Sequence, residues 1–473
     1  MPTIKLDNFN LGGVADSKYQ GVQYSVAALV GFDIHSEPGV LKSSQKLTKD
    51  SGSTVTEFVK TIVSCSDGKA YLFSNDSGKV WSRASNGTYA LATTLLPAAG
   101  SAACCDAIEW EGYLYYSMER RLGRAPITAG AVDWASKDDN YGTFTTITPF
   151  HPFQKLNRVL YAGDGNFLAQ VTSGHTFTAG SADVLDLESQ FRVKSVGSWL
   201  RKLLMGTYVS ENVSGADVFK WDGWSVSFTS PDDLPEVGMH ALLKIDNGLL
   251  GFAGYKGGIY QYDGEVFQPL RVIPGDWTLT NQAVVHPNAV EAFGKMSLFG
   301  LSKVTGSPAP MGIYEIGASR PGYARVLDLP YVISQGVTAN IEIGAIEAIS
   351  ADTFLVSWKD TNSGTVYGVD KLDLTAKYSG SYFDSRLINM DRVDAKDFGV
   401  RINYRTLPSG TAITLSANED NAGLSSVATI TDADRRLVQS ERRVAGSNTL
   451  EIRVATTANG NVAPEIESVE LFF

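Results

Sequence analysis

Three cysteines in 473 residues, Cys65, Cys104 and Cys105, make an odd count with an adjacent pair, so no disulfide framework is implied. None of them has metal-ligand spacing. The five histidines, His35, His151, His175, His240 and His286, form no H-x-x-x-H or H-E-x-x-H pair, so no metal site is read from them. Charged residues are only 19% of the chain, and a net charge of −11 leaves no global basic face to displace counterions from nucleic acid. Local basic clusters, Arg120, Arg121 and Arg124, and Arg435, Arg436, Arg442 and Arg443, read as solvated surface. No apolar run approaches the roughly 18 residues of a membrane span. The opening Met1–Phe9 also lacks the apolar stretch of a signal peptide, so a soluble chain made in the cytoplasm is expected. Nucleophile elbow, phosphate loop and dinucleotide fingerprint are all missing, and the expectation is a protein that is not an enzyme and takes no cofactor.

What is present is glycine and aromatic residues: 46 Gly, 20 Tyr and 21 Phe, the composition of short strands joined by tight turns. Seven segments share one pattern, an apolar strand, a polar turn with glycine and a second strand. They are Lys69–Trp81, Gly112–Ala125, Val159–Val171, Leu203–Gly223, Leu249–Gly264, Met296–Gly317 and Thr353–Asp373. Their starts recur with a period in the mid-forties, apart from a longer last step that suggests an inserted excursion around Gln335–Ala345. That period is the blade spacing of a β-propeller, in which each sheet buries its faces only against its neighbours. The fold class expected is all-β: a propeller of about seven blades over 46–378, followed by a C-terminal β-sandwich of immunoglobulin or jelly-roll type over 379–473. Residues 1–45 form an N-terminal arm that either closes the propeller ring or reaches a neighbouring subunit. The sandwich is read from alternating strands such as Phe398–Arg405, Ala412–Glu419, Thr449–Thr457 and Ile466–Phe473.

Two motifs inside the repeats are specific. Ser74, Asp76, Gly78 and Trp81 fit S-x-D-x-G-x-x-W, the Asp-box hairpin: Asp76 is placed to bond turn amides, Gly78 to take positive φ, and Trp81 to pack between sheets. Asp222-Gly223 and Asp263-Gly264 read as hairpin turns. A sialidase-like glycoside hydrolase also uses Asp-boxes, but several of them together with an arginine triad that no spacing here marks. Trp224, Trp277 and Trp358 are candidates either for stacking on sugars or for blade packing.

The organisation resembles the tail nozzle or hub proteins of tailed bacteriophages. The matching pieces are Leu6–Gly13 with its Gly12-Gly13 pair, Glu37–Leu41, the seven repeats, and Ser381–Phe473 with Leu407–Thr411 followed by Ile413–Ser416. The resemblance implies a structural component of a virion tail, acting in a ring, such as a hexamer, through contacts with other tail and adaptor proteins. Genomic DNA would pass through an acidic channel without specific binding. It carries over no catalytic residue. Phe9, Gly12, Gly13 and Phe32 are the candidate interface positions of the arm. The alternative is a propeller adhesin that binds host-surface glycan.

Overall fold

The computed structural model of the chain describes residues 3–17, 19, 23–96, 104–180, 184–209, 215–254, 256–279, 281–302, 310–318, 325–337, 340–390, 397–431, 438–443 and 448–472. Nearly every regular element is a strand. Among the described residues no helix is long and apolar enough to cross a membrane. The chain makes two compact units. One contains Lys49–Met311 and Thr338–Lys371; the other contains Met1–Thr48, Gly312–Val337 and Leu372–Phe473.

The first unit is the β-propeller. Seven strands line its axis: Val59–Ser64, Cys104–Trp110, Phe153–Leu156, Arg192–Trp199, Met239–Ile245, Val290–Phe293 and Ile341–Ser350. Each packs beside the next, and the seventh packs beside the first, so the ring closes. The first five each open an antiparallel meander of four strands in sequence order, the second with a fifth strand added. The sequence repeats are the second and third strands of these blades, as in Ala70–Ser74 with Lys79–Arg83 and Gly248–Ala253 with Gly258–Tyr262. Both Asp-Gly turns join a third strand to a fourth.

Central blade strands are covered on both faces, so Ala70–Ser74 and Gly248–Ala253 are buried throughout and read as continuous apolar runs rather than alternation. Small hydroxyls stitch one blade to the next. Ser117 Oγ donates to the His151 carbonyl at 3.0 Å, Ser302 Oγ to that of Ile343 at 3.2 Å, and Ser357 Oγ to that of Val59 at 2.8 Å. The start of the unit is tied to the last blade, where the Asp50 amide donates to the Val369 carbonyl at 2.8 Å.

The second unit is the sandwich. One sheet runs Phe32–Asp33, Leu41–Ser43, Glu465–Phe472, Asp397–Thr406 and Val438–Arg443, with Thr3–Leu6 also paired to Glu465–Phe472. The other runs Gly312–Gly317, Val326–Tyr331, Ala28–Val30, Ser381–Asp384, Thr449–Thr457, Ala412–Glu419 and Leu424–Ile430. Its strands alternate: Ile413, Leu415 and Ala417 point inward, as do Leu450, Ile452 and Val454. They meet Val400, Ile402, Ile466, Val469 and Leu471 of the facing sheet in one core.

The structure draws the boundaries differently from the expected division at 45/46 and 378/379. The segment up to Ser43 is not a separate arm but supplies strands to both sheets of the sandwich unit, which also takes in Gly312–Val337, while Gln45–Lys49 is the outer strand of the sheet that Ile341–Ser350 opens. The sixth repeat is therefore cut: Met296–Leu301 stays in the propeller unit and Gly312–Gly317 belongs to the sandwich unit. The excursion expected around Gln335–Ala345 ends sooner, because Ile341 already begins the innermost strand of the seventh blade; residues 338 and 339 lie outside the described residues.

Candidate functional site on the propeller axis

All seven innermost strands contribute to a cavity of about 300 Å3 on the axis. A water occupies roughly 30 Å3 of liquid, so this space suits on the order of ten waters. Three carboxylates line it, Asp106, Glu291 and Glu347, together with Thr61, Gln154 and Asn288. They sit at positions where a strand turns alternate side chains toward the axis.

The acids are held in unlike ways. Asp106 accepts the Phe153 amide at 2.7 Å and the Ala107 amide at 2.8 Å, so it spans the second and third blades. Burial pushes its carboxyl up to about 7 in spite of those bonds. Glu347 accepts the Ser64 amide at 2.8 Å, and burial raises it as well. Glu291 is pushed up to about 8 by burial first and by the neighbouring Glu347 second. A carboxylate that must shed water into a narrow, acid-lined space prefers its proton. Near neutral pH Glu291 therefore keeps its proton in the folded chain. Asn288 completes it, donating to Thr61 Oγ1 at 2.8 Å while its carbonyl accepts the Ile346 amide at 2.9 Å.

A second group of titratable side chains stands near the starts of the innermost strands Arg192–Trp199, Met239–Ile245 and Ile341–Ser350. Lys194 lies 5.0 Å from the centre of the Phe150 ring and 5.5 Å from that of Tyr208, and it contacts His240 Nδ1. Burial, then the Lys194 charge, pushes His240 well down, so its imidazole is neutral. Glu342 bridges Lys359 at 3.3 Å and His286 at 3.8 Å. Lys194 beside His240, and His286 beside Glu342, pair groups drawn from neighbouring blades.

The sequence-selected residues fall elsewhere. In the Asp-box, Gly78 takes φ +79°, which favours glycine, and Trp81 is buried among Ile62, Leu72, Leu355 and Val369. The carboxylate that holds the turn is Glu57, not Asp76. Glu57 accepts the Ser77 amide at 3.1 Å and the Ser77 hydroxyl at 2.6 Å, and pairs with Lys79 at 2.6 Å. Burial works to raise it, but the bonds from Lys79, Ser74 and Ser77 outweigh burial and hold it down at about 2. Asp76 is exposed and donates its amide to Ser74 Oγ at 2.9 Å.

Phe9, Gly12, Gly13 and Phe32 are buried within their own unit and present no face as folded, which corrects their reading as interface positions. Phe9 packs on Phe383 with ring centres 5.2 Å apart. Gly13, at φ +58°, lies so near the Leu327 carbonyl that a Cβ would come within 2.5 Å of its oxygen. Close backbone approach, not docking, explains the Gly-Gly pair. Trp358 is fully buried and donates to Asp370 at 2.7 Å, Trp277 donates to the Ile273 carbonyl at 2.8 Å, and Trp224 is 80% exposed. Arg124 lies over Tyr113 and Tyr141 at 4.5 and 3.9 Å, whereas Arg435 and Arg436 fall outside the described residues.

Sequence spacing missed one constellation. Among the described residues, the donor atoms of His35, Glu315 and Asp328 all lie within 4.8 Å of one another in the sandwich unit, closely enough to hold a metal ion. Their positions along the chain give no local signal.

No protein-family model matches the chain, and no curated protein matches it. Solved structures do. The extracellular domain of a hybrid two-component system from B. thetaiotaomicron is 14% identical with TM-score 0.47, over 78% of this chain and 44% of that one. This chain thus spans less than half the length of that match. A streptogramin B lyase is 12% identical with TM-score 0.48, over 70% and 98% of the two chains. The WD40 domain of Neurospora crassa Pan2 is 10% identical with TM-score 0.47, over 71% and 98%. These likenesses concern the fold alone, an all-β propeller, and carry no argument about activity.

Proposed function

We propose that this protein is a structural component of a bacteriophage virion tail, working as a nozzle- or hub-like subunit through protein–protein contacts and not as an enzyme. One observation carries the reading. The segments on which the resemblance to tail proteins rests outside the repeats, Leu6–Gly13, Glu37–Leu41 and Ser381–Phe473, fall in a single compact unit, with Thr3–Leu6 paired to the final strand. A part that must fold alone and assemble late benefits from closing its own edges in this way. Partners are other tail and adaptor proteins and further copies of this chain in a ring. The axial cavity of about 300 Å3 is far too small for a DNA duplex, so genomic DNA would pass between copies.

A second reading, an adhesin for host-surface glycan, is favoured by the exposed Trp224, which stands on a turn whose Asp222 side chain accepts the amides of Trp224 and Ser225 at 2.8 Å each. Electron microscopy and mass photometry of the native source particle and the purified chain separate the two. A ring, or density in a tail, supports the structural reading. A persistent monomer absent from any particle sinks it.

A further inference from the structure

We infer that His35, Glu315 and Asp328 form a divalent metal site that pins residue 35 to the strands Gly312–Gly317 and Val326–Tyr331. Glu315 and Asp328 are direct partners in antiparallel register, so two carboxylates stand side by side on one face of the pair. Like charges directly opposed across a ladder destabilise it, and here both are buried, Asp328 completely. Buried in this way, the pair must either keep a proton or face a cation that offsets it.

His35 arrives opposite them from the segment after Phe32–Asp33. Asp33 Oδ1 accepts the amides of His35 at 3.0 Å and Ser36 at 2.9 Å, which fixes the turn that delivers the imidazole. His35 Nε2 then lies 3.4 Å from Asp328 Oδ1 and 3.9 Å from Glu315 Oε1. Both carboxylate oxygens of Asp328 and both ring nitrogens of His35 are buried without a hydrogen-bond partner among the described residues. One ring nitrogen of His35 and one oxygen of Asp328 meet a Glu315 oxygen within 4.8 Å, and a cation held among them would accept the lone pairs that no donor takes.

The His35–Asp328 separation of 3.4 Å fits a shared ion, while the His35–Glu315 separation of 3.9 Å would have to close slightly around it. With metal–ligand bonds of about 2.0–2.2 Å, the edges of a tetrahedron are about 3.3–3.6 Å. Charge balance points the same way, since two carboxylates and a neutral imidazole around a divalent ion sum to zero. One nitrogen and two oxygen donors suit zinc or manganese better than calcium, which prefers six or more oxygens. The rival arrangement is a buried ion triad, with His35 protonated by its acidic neighbours and no metal at all; burial opposes that proton, while Asp328 and Glu315 favour it and lift the imidazole to about 9.

The test uses the full chain. It is stripped with a chelator, dialysed, and titrated with zinc chloride while bound metal is counted by mass spectrometry and the thermal midpoint is followed. The expected result is one zinc per chain, with a midpoint raised by at least about 2–4 °C and returned to its starting value by the chelator. His35→Gln and Glu315→Gln should each weaken binding at least tenfold. Absence of stoichiometric zinc and of any chelator-sensitive midpoint in the unmodified chain would overturn the site in favour of the ion triad. So would zinc binding of undiminished strength in both variants, which would put the metal elsewhere. The measurement on the unmodified chain decides the matter even where a variant fails to fold.

Discussion

The C-terminal strands of the sandwich unit and the central strands of the blades bury themselves by different rules. In the sandwich, Ala412–Glu419 and Thr449–Thr457 alternate, with every second side chain in the core and its neighbours facing out. In the propeller, Ala70–Ser74 and Gly248–Ala253 have no outward face. The sandwich has one core between two sheets, whereas each blade is core to the blades on both sides. A strand such as Ala412–Glu419 therefore has positions that tolerate change, whereas a central blade strand, like Gly312–Gly317 of the sandwich unit, has almost none.

The largest effects follow from this contrast. Trp81→Ala, in the core between the first and last blades, should cost about 3–5 kcal/mol. Thr414→Ala, on the partly exposed side of a sandwich strand, should stay within about 0.5 kcal/mol. Phe9→Ala belongs with Trp81, at about 3–5 kcal/mol, because Phe9 is core rather than a free arm. Denaturant midpoints measure all three. A Phe9→Ala midpoint within error of the unmodified chain would restore the reading of the arm as a docking segment.

The axis supplies the next effect. Glu291 ionises near 8 in the folded chain against an ordinary 4.5. The folded state thus holds a proton that the unfolded state releases, so this contribution to stability is complete below about pH 4.5 and is lost as pH rises toward 8. The slope is at most about 1.4 kcal/mol per pH unit. Glu291→Gln, which mimics the protonated acid, should flatten the fall in urea midpoint between pH 5 and pH 8. Asp106, pushed up to about 7, leaves a residual slope in the variant. An unchanged profile would mean that the cavity hydrates Glu291 freely.

Legibility in the sequence tracks how local each feature is. Most of the repeats are readable because the second and third strands of a blade are apolar and close in sequence, as in Ala70–Ser74 with Lys79–Arg83; the sixth matches the pattern although its two strands fall in different units. The C-terminal strands were readable from their alternation. The other half of the sandwich was not, because Thr3–Leu6, Ala28–Val30 and Val326–Tyr331 find partners hundreds of residues away and nothing in their own pattern names those partners. The same holds for the axial acids, since Asp106, Glu291 and Glu347 come from three blades. Within the Asp-box the motif led to the right turn and the wrong carboxylate: the consensus points to Asp76, but Glu57 from the preceding loop is within reach of the same amides. Glu57→Ala should therefore cost about 1–2 kcal/mol through lost hydrogen bonds to a charged group, and Asp76→Ala less than about 0.5 kcal/mol. Equal costs for the two would return the capping role to Asp76.

The smallest expected effect on stability separates the two functional readings. Trp224 is 80% exposed, and Val226 near it is fully exposed, so these two side chains place apolar surface where packing gains nothing from it. The Asp222 bonds fix the backbone of that turn whatever side chain residue 224 carries. Trp224→Ala should thus leave the denaturant midpoint within about 0.5 kcal/mol of the unmodified chain. An indole held out on a rigid turn suits stacking against a sugar face or against the surface of a neighbouring subunit. Glycan-array binding by the monomer that vanishes in Trp224→Ala would establish the adhesin reading. No glycan binding, with ring assembly weakened by the same substitution, would make Trp224 part of a subunit interface and strengthen the tail reading.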